Sequence, residues 1–270
     1  MARIAIPRIQ GFEIHEQKWI PATLRNALTE WLRVLWEYSS AETVIAPVLE
    51  AAVASSGAER IVDLCSGRSG PIVGIQAELL RRGMHVPVVL TDKFPDREAF
   101  SALSAASRDV TACLCSIDAR LVPDKLSGFR TLFNSFHHFR PADARSILDA
   151  ARADRQPIGI FEITERTIPK LLLCFPASFL SCFLIIWRMR PRRVAWWLLT
   201  WVVPVIPFIV GWDAFVSHLR SYTHSELRGL TQGLDDSWQW KEGCVTAPRG
   251  GVEISFLVGI PVPQHAPRSQ

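Results

Sequence analysis

The sequence predicts an α/β protein with a mostly parallel sheet, and two features of its 270 residues support this class. From residue 60 onwards, short apolar runs alternate with helical or turn-forming segments, which is the arrangement of βαβ units. The first run leads directly into a turn that contains glycine, RIVDLCSGRSGP at residues 60–71. A strand that ends in such a turn before a helix is typical of a ligand-binding site.

The residues before this turn predict two helices. In residues 23–38, apolar side chains recur at helical spacing and define one face of a first helix. That face consists of Leu24, Leu28, Trp31, Leu32 and Leu35. Ser39, followed three residues later by Glu42, predicts a capping box at the start of a second helix. We therefore expect residues 1–57 to form an N-terminal helical cap.

Five apolar runs predict the parallel strands, and they cover residues 60–65, 86–92, 110–116, 129–135 and 157–163. Four of them contain valine or isoleucine, and all are bounded by helix-like or turn segments. Near the C-terminus, two further runs flank the turn PRGG and predict a final pair of strands. The sequence therefore predicts a sheet domain formed by residues 58–166 and 213–263.

Charge and cysteine content exclude several classes of protein. The net charge of +4 is too small to predict a nucleic-acid partner. The six cysteines form no CxxC pair, which argues against a zinc site and favours reduced thiols in the cytosol. The N-terminus lacks the apolar core of a signal peptide.

Residues 167–212 predict a hydrophobic hairpin inserted after the fifth strand. Residues 168–187 contain one charge, at Lys170, and residues 194–212 contain none. Each run has about the 20 residues that a helix needs to cross the core of a bilayer. Five tryptophans cluster in the two runs, as is common at membrane boundaries. The pattern predicts membrane association, and a buried hairpin that forms a homodimer is the alternative.

The segment RMRPRR between the two runs bears on how the hairpin meets the membrane. If both runs crossed the membrane, the four arginines between them would lie on the side away from the cytosol. Arginine and lysine are usually enriched on the cytosolic side of a membrane. Four prolines also interrupt straight spans. We therefore favour a monotopic hairpin on the cytoplasmic face of a membrane, with the arginines near anionic headgroups. A hairpin of two spans stays open.

Three ligands compete for the glycine-containing turn: a nucleoside triphosphate, a dinucleotide and S-adenosylmethionine. The triphosphate motif GxxxxGK[ST] is absent, and so is the first glycine of the dinucleotide motif GxGxxG. Asp63, at the end of the first strand, would repel a pyrophosphate at the N-terminus of the next helix. Its carboxylate suits a cationic ammonium group, which S-adenosylmethionine carries.

At this turn the sequence resembles a known family. VDLCSGRSGP is similar to motif I of the class I S-adenosylmethionine-dependent methyltransferases, D-x-G-x-G-x-G, with matches at Asp63 and Gly67. Cys65 and Ser69 replace glycines of that motif. The resemblance covers about residues 40–165 well and about residues 213–260 more loosely. It implies a Rossmann-like, doubly wound sheet of seven strands and S-adenosylmethionine as the cofactor.

Further positions match the later motifs of the family in order. Asp92 ends the second strand, where the family has the acid that binds the ribose hydroxyls. Lys93 and Phe94 follow where the family packs residues against adenine, and Asp118 resembles its acid near the adenine amino group. The resemblance implies a set of cofactor-binding residues: Asp63, Cys65, Gly67, Gly70, Asp92, Lys93, Asp118, Ala119 and Asn134.

Three residues are candidates for a catalytic base: His137, Glu162 and Tyr222. Nothing in the sequence selects among them. His137 and His138 have no third ligand nearby in the sequence and therefore predict no metal site. Thr223, followed by Glu226, predicts a capping box at the start of a helix.

Together these features predict a methyltransferase that acts on a small lipophilic acceptor at a membrane surface. The hairpin leaves the sheet at the edge where open α/β sheets bind ligands, so membrane lipid is a predicted partner. The signature of nucleic-acid amino methyltransferases is absent, and we expect no nucleic-acid partner. Two alternatives stay open: a catalytically degenerate membrane-bound scaffold and an NAD(P)-dependent oxidoreductase.

Overall fold

The computed structural model describes residues 6–68, 70–234 and 237–262. Ser69 therefore lies outside the described residues, as do residues 1–5, 235–236 and 263 of the predicted domains.

Within the described residues, one sheet of seven strands forms the centre of the protein, in the order β3-β2-β1-β4-β5-β7-β6. The first five strands are parallel, whereas β7 is antiparallel to both of its neighbours. The strands are β1 Ile61–Leu64, β2 Val88–Asp92, β3 Val110–Ser116, β4 Phe129–Phe133, β5 Ile158–Glu162, β6 Trp238–Thr246 and β7 Glu253–Pro261. The predicted α/β class and its seven-stranded sheet are confirmed.

Helices cover both faces of this sheet. They are α1 Ala22–Ser39, α2 Glu42–Ser56, α3 Ile72–Arg81, α4 Arg97–Ala106, α5 Pro141–Ala153, α6 Ile168–Ile185, α7 Val194–Trp197, α8 Val205–Arg220 and α9 His224–Thr231. Side chains of α2, α3 and α4 pack in one core cluster, and those of α5 and α9 pack in another on the opposite face. The sheet is therefore doubly wound.

The burial of each strand follows its position in the sheet. All residues of β1 and β4 are buried, because these central strands are covered on both faces. The edge strands β3 and β6 are mostly half-buried or exposed. Strand order reverses between β1 and β4, since β2 and β3 lie on one side of β1 and the later strands on the other. Such a reversal opens a crevice at the carboxyl ends of the strands.

A third apolar cluster joins α1 to the hairpin. Trp31 and Leu28 of the predicted α1 face pack with buried residues of α6, the segment after it and α8. Trp31 Nε1 donates a hydrogen bond to Ser181 Oγ at 3.1 Å. The hairpin therefore rests on the N-terminal helix, while the three domain boundaries drawn from the sequence stay a prediction.

The two apolar runs of the hairpin differ in shape. Among the described helices, α6 is long and apolar enough to cross a membrane. The second run breaks at Val203 and Pro204, and the helical segments before and after this break are bent by 77°. The described residues contain a second candidate for a membrane span only if that bent pair is counted as one span. By length and composition, α6 is therefore the one unbent helix among the described residues that could cross a membrane.

The two predicted capping boxes have different outcomes. The Ser39 prediction is wrong, because Ser39 is the last residue of α1 and its hydroxyl donates to Trp36 O at 2.8 Å. The turn between the two helices is made at Ser40, which has a left-handed φ of 55°. The residue before α2, Ala41, has a helical backbone instead of the extended conformation that is typical of an N-cap. The Thr223 prediction is confirmed, since Thr223 Oγ1 accepts from Glu226 N and Thr223 N donates to Glu226 Oε2.

We expect Thr223→Ala to lower the free energy of unfolding by about 1 kcal/mol, because it removes an N-cap hydrogen bond. Thr167→Ala is the matched control, since Thr167 precedes α6 without capping it. Urea denaturation of both variants checks the difference. Equal effects of the two substitutions would contradict the role of the cap.

Candidate functional site

The turn after β1 keeps the backbone conformation of a glycine-rich loop. Cys65, Gly67 and Gly70 all have positive φ, at 58°, 55° and 48°. Left-handed backbone is costly for cysteine, so the surrounding structure holds Cys65 in this shape. Burial raises the pKa of its thiol above the usual range, which keeps the group protonated.

A second left-handed residue lies after the neighbouring strand. Asn134, which follows β4, has a φ of 47° and donates its backbone N–H to Phe161 O at 2.8 Å. Its side-chain oxygen accepts from Ile163 N at 3.4 Å. Two strained non-glycine residues therefore flank the crevice between β1 and β4, and such strain concentrates at functional sites.

Asp92, at the end of β2, connects two loops of the crevice. Its Oδ2 accepts from Gly67 N at 2.9 Å, and its Oδ1 accepts from Phe94 N at 2.7 Å. The carboxylate is half-buried and lies beside the glycine turn, as the order of the sequence motifs predicts. The structure thus brings Asp92 and Gly67 together.

Asp63 lies deeper, beneath the turn, and is 2% exposed. Its Oδ1 accepts from Thr131 Oγ1 at 2.7 Å, and its Oδ2 lies 2.6 Å from Ser66 Oγ. Burial raises the pKa of Asp63 from 3.8 to about 7. The folded protein therefore favours the protonated carboxyl, which can donate to Ser66 Oγ.

This raised pKa has a consequence for stability. The folded state binds the Asp63 proton more tightly than the unfolded state, so its contribution to stability is fully present below about pH 4 and is lost as the pH rises to about 7. Asp63→Asn has no proton to lose. We expect the free energy of unfolding of the variant, minus that of the wild type, to rise by up to roughly 4 kcal/mol across this window.

Urea denaturation of both proteins at several pH values measures this difference. Other titrating groups are common to both proteins and largely cancel. A difference that does not change with pH would show that folding does not shift the pKa of Asp63.

Asp118 is held by two cations in the loop after β3. Its Oδ2 accepts from Lys93 Nζ at 2.9 Å and from Arg120 at 2.8 Å. The Arg120 guanidinium holds the pKa of Asp118 well below its usual range. Ala119, the next predicted residue, is buried. Lys93 and Asp118 are thus brought together, and Arg120 is a partner that the sequence motifs did not indicate.

Two apolar side chains project into solvent beside these residues. Phe94 is 83% exposed and Leu121 is 79% exposed, which are the highest values among the large exposed apolar side chains described. Phe94 follows β2 and Leu121 follows β3, so both stand at the same edge of the sheet as Asp92. Leu121 was missed in the sequence, where a single leucine in a loop carries no signal.

His137 and Glu162 form a buried ion pair at the ends of β4 and β5. His137 Nδ1 lies 2.5 Å from Glu162 Oε2, and Phe136 N donates to Glu162 Oε1 at 2.7 Å. Burial alone would lower the pKa of His137, but the carboxylates of Glu162 and Glu13 raise it to about 10. The ring therefore carries a proton at neutral pH and is 1% exposed.

Tyr222 lies next to this pair, but its hydroxyl is engaged elsewhere. It donates to Phe139 O at 2.6 Å, and its ring packs against Phe136 and under the guanidinium of Arg8. Burial raises the pKa of Tyr222 to about 12. The catalytic roles of His137, Glu162 and Tyr222 stay predictions.

The N-terminal segment before α1 supplies residues that sequence reasoning missed. Ile14 N and His15 N donate to the two carboxylate oxygens of Asp213. Arg220 of α8 donates to Gly11 O and binds Glu16 at 3.0 Å. Gln10 Nε2 of this segment also donates to His138 O at 3.2 Å, so the segment lies beside the residues that follow β4. The charge-rich stretch FEIHE was the signal that could have indicated it.

A cavity of about 180 Å³ opens beside the end of β5. Its lining combines acids with small polar groups: Glu162, Thr164, Glu165, His224, Cys244, Glu253 and Ser255. Lys170, at the root of the hairpin, binds Glu165 at 2.5 Å and Glu253 at 2.6 Å. The hairpin therefore begins at the rim of this cavity.

Neither the family models nor the curated proteins give a significant sequence match to this chain. Solved structures do resemble it. The plantazolicin methyltransferase BpumL, in complex with a triazolic desmethylPZN analog and SAH, has a TM-score of 0.51 and 10% identity, over 90% of this chain and 100% of that chain.

Two other solved structures have lower scores, and we draw no conclusion from them. A putative Zn-dependent alcohol dehydrogenase from Rhodobacter sphaeroides has a TM-score of 0.48 and 14% identity, over 90% of this chain and 99% of that chain. The methyltransferase domain of bacterial CtHen1 has a TM-score of 0.45 and 9% identity, over 80% of this chain and 96% of that chain.

The likeness to BpumL extends over the whole of that chain and agrees with the strand order and the doubly wound helices. At this identity it concerns the fold. The chain has the Rossmann-like α/β fold of the class I S-adenosylmethionine-dependent methyltransferases.

Proposed function

We propose that the protein is an S-adenosylmethionine-dependent methyltransferase that acts on a small lipophilic acceptor at a membrane surface. The observation that carries the proposal is the contact between Asp92 and the backbone N–H of Gly67. It joins the acid at the end of β2 to the glycine turn after β1, at the point where strand order reverses. The fold likeness supports the same reading.

The residues around the crevice fit S-adenosylmethionine in charge and shape. Asp92 offers two carboxylate oxygens that can accept from ribose hydroxyls. Phe94 and Leu121 offer exposed apolar surface on which adenine can stack. A side chain added at Gly67 would meet nothing within 4 Å, so the backbone of the turn is open to a ligand. Asp63 is buried beneath the turn and would attract an ammonium group, directly or through a water, only after it gives up its proton.

Asp118 requires a rearrangement to contact adenine. Its ion pairs with Lys93 and Arg120 lie partly in solvent, where such pairs contribute little to stability. An adenine amino group could therefore replace one of the cations at small cost.

The cofactor supplies an electrophilic methyl group, and the protein's part is to hold the acceptor in line with it. Tyr222 donates its hydroxyl proton to a backbone carbonyl, and His137 is enclosed and protonated. Neither has a free basic atom that faces solvent. We therefore expect the rate enhancement to come from positioning. If the acceptor must lose a proton before methyl transfer, its own acidity has to be sufficient for that step.

The hairpin provides the argument for a lipophilic acceptor. The outer face of α6 carries large exposed apolar side chains, and only 11% of its apolar window is buried. Those side chains are Leu172, Leu173, Leu180 and Leu184, with Trp187 just beyond the helix. Since the hairpin begins at the rim of the cavity beside β5, a molecule that leaves a bilayer along α6 would arrive at that cavity.

Contacts of α6 favour a hairpin that lies in one leaflet. Its inner face packs on α1, and Arg190 N at the hairpin tip donates to Glu30 of α1 at 2.8 Å. Glu30 and Arg33 form an ion pair at 2.6 Å. If α6 crossed the bilayer, these charges would have to enter it, which is costly. A monotopic position on the cytoplasmic face leaves them and the tip arginines at the headgroups.

Transfer of a labelled methyl group tests the proposal. The protein is incubated with S-adenosylmethionine, labelled in its methyl group, and with vesicles made from total lipid extracts of cells. We expect label in the fraction that organic solvent extracts, and about 10- to 100-fold less label with Asp92→Asn at a cofactor concentration below saturation. Label confined to water-soluble products would overturn the lipophilic acceptor, and no transfer from any extract would favour the degenerate scaffold.

A homodimer formed through the hairpin is the alternative use of the same apolar face. Sedimentation in the presence and absence of vesicles separates the two. A stable dimer that does not bind vesicles would contradict the membrane proposal.

A further inference from the structure

Two histidines and a glutamate meet in a buried group beside the proposed cofactor site. One possible ligand atom from each of Glu13, His137 and His138 lies within 4.8 Å of the others. His137 Nε2 is 3.6 Å from Glu13 Oε1, and His138 Nδ1 is 4.0 Å from Glu13 Oε2. Glu13 and His137 are both 1% exposed. The sequence lacked a third ligand near the histidine pair, and the N-terminal segment supplies it.

The orientation of His137 is the second observation. Its Nδ1 faces the Glu162 carboxylate at 2.5 Å, and Glu162 is held in turn by Phe136 N. Its Nε2 points towards Glu13 but has no hydrogen-bond partner within the described residues. A histidine whose one ring nitrogen donates to a carboxylate can bind an ion through the other nitrogen, which is the arrangement of a metal ligand. An ion at His137 Nε2 would displace the proton from that nitrogen into solvent.

The charge around the group favours a cation. Carboxylates of Glu13, Glu16 and Glu162 lie within an ion-pair distance of His137 or His138. Asp213 pairs with the neighbouring His15 at 2.9 Å. Among the described residues, the fixed positive charge at these carboxylates is Arg220, which binds Glu13 at 3.2 Å and Glu16 at 3.0 Å. Its Nη1 also lies 3.2 Å from His138 Nδ1, so the guanidinium has to move aside when an ion binds there. One guanidinium leaves an excess of negative charge that a divalent ion can offset.

We propose that Glu13, His137 and His138 bind one divalent transition-metal ion through a Glu13 carboxylate oxygen, His137 Nε2 and His138 Nδ1. Two imidazoles and one carboxylate are a ligand set that suits Zn²⁺ and similar ions. Glu16 Oε1 forms a hydrogen bond of 2.6 Å with His138 Nδ1 and would have to move away from that nitrogen to serve as a fourth ligand. The ion joins the N-terminal segment to the end of β4, and this inference does not rest on the proposed function.

Metal content of the untagged, full-length protein is the first part of the test. Elemental analysis after gel filtration, and titration of the EDTA-treated protein with ZnCl₂ alone, are both expected to give one ion per chain. CoCl₂ in place of ZnCl₂ should give visible absorption of a nitrogen- and oxygen-ligated cobalt site. Zinc should also raise the melting temperature of the wild type.

Variants locate the ion. His138→Ala, whose ring is partly exposed, is expected to weaken zinc binding by about 100-fold or more, and Glu162→Gln by about 10- to 100-fold through the orientation of His137. His224→Ala is the control, because His224 pairs with Glu242 outside the group and should bind zinc like the wild type. Circular dichroism checks that each variant is folded.

The proposal is overturned if the folded wild type binds no zinc, or if His138→Ala and Glu162→Gln bind it as tightly as the wild type. The group would then be an ion-pair network in which the His137 imidazolium supplies the positive charge.

Discussion

Replacing Leu180 and Leu184 by glutamate should release the protein from phospholipid vesicles. Leu184 is 76% exposed and Leu180 is 62% exposed, on the same outer face of α6. Burial of two leucine side chains in a bilayer contributes about 3–6 kcal/mol. Because glutamate also resists transfer out of water, we expect vesicle affinity to fall by more than about 100-fold. Flotation with vesicles that contain anionic lipid measures the change.

Two exposed leucines elsewhere provide the matched control. Leu80 lies on α3 and Leu114 on β3, and both are 37% exposed at the surface of the sheet domain. Leu80→Glu/Leu114→Glu adds the same charge but should leave vesicle binding unchanged. If both double variants lost binding equally, the net charge of the protein rather than the hairpin would govern its association with membranes.

The second large effect is expected at Asp92. Hydrogen bonds to a charged group contribute about 1.5–3 kcal/mol, so Asp92→Asn should weaken S-adenosylmethionine binding by about 10- to 100-fold. The amide keeps the size of the carboxylate and one accepting oxygen, so the contacts with Gly67 and Phe94 are disturbed less than in an alanine variant. Isothermal titration calorimetry measures the affinities.

Asp124→Asn controls for the loss of one negative charge. Asp124 is exposed and lies at the opposite edge of the sheet, where the neighbouring Lys125 O accepts from Arg60, just before β1. We expect its cofactor affinity to equal that of the wild type. An Asp92→Asn protein that bound the cofactor as tightly as Asp124→Asn would show that Asp92 does not contact it.

The sheet could be predicted from the sequence because its strands are short apolar runs with clear boundaries. Local pattern could not predict what the helices pack against. The apolar face of α1 was visible, but its partner, the hairpin, follows more than a hundred residues later. The Ser39 capping box failed for a related reason, since the tight turn at Ser40 depends on how α1 and α2 meet.

In the candidate site too, the sequence predicts some residue contacts and gives no sign of others. Asp92 and Gly67 could be paired from the order of their motifs, because parallel strands bring their carboxyl ends to one edge. Glu13 and His137 could not be paired, since no periodicity relates the N-terminal segment to the end of β4. Arg120 was hidden for another reason: it binds Asp118 from only two residues away, and a charged pair at that spacing is common in loops.

The most direct test of the central proposal is calorimetric titration of the wild-type protein with S-adenosylmethionine and, separately, with NADH. We expect saturable binding of one S-adenosylmethionine per chain and no heat from NADH. Binding of NADH without S-adenosylmethionine would contradict the proposal and favour an oxidoreductase. A folded protein that binds neither would show that the turn after β1 holds no cofactor.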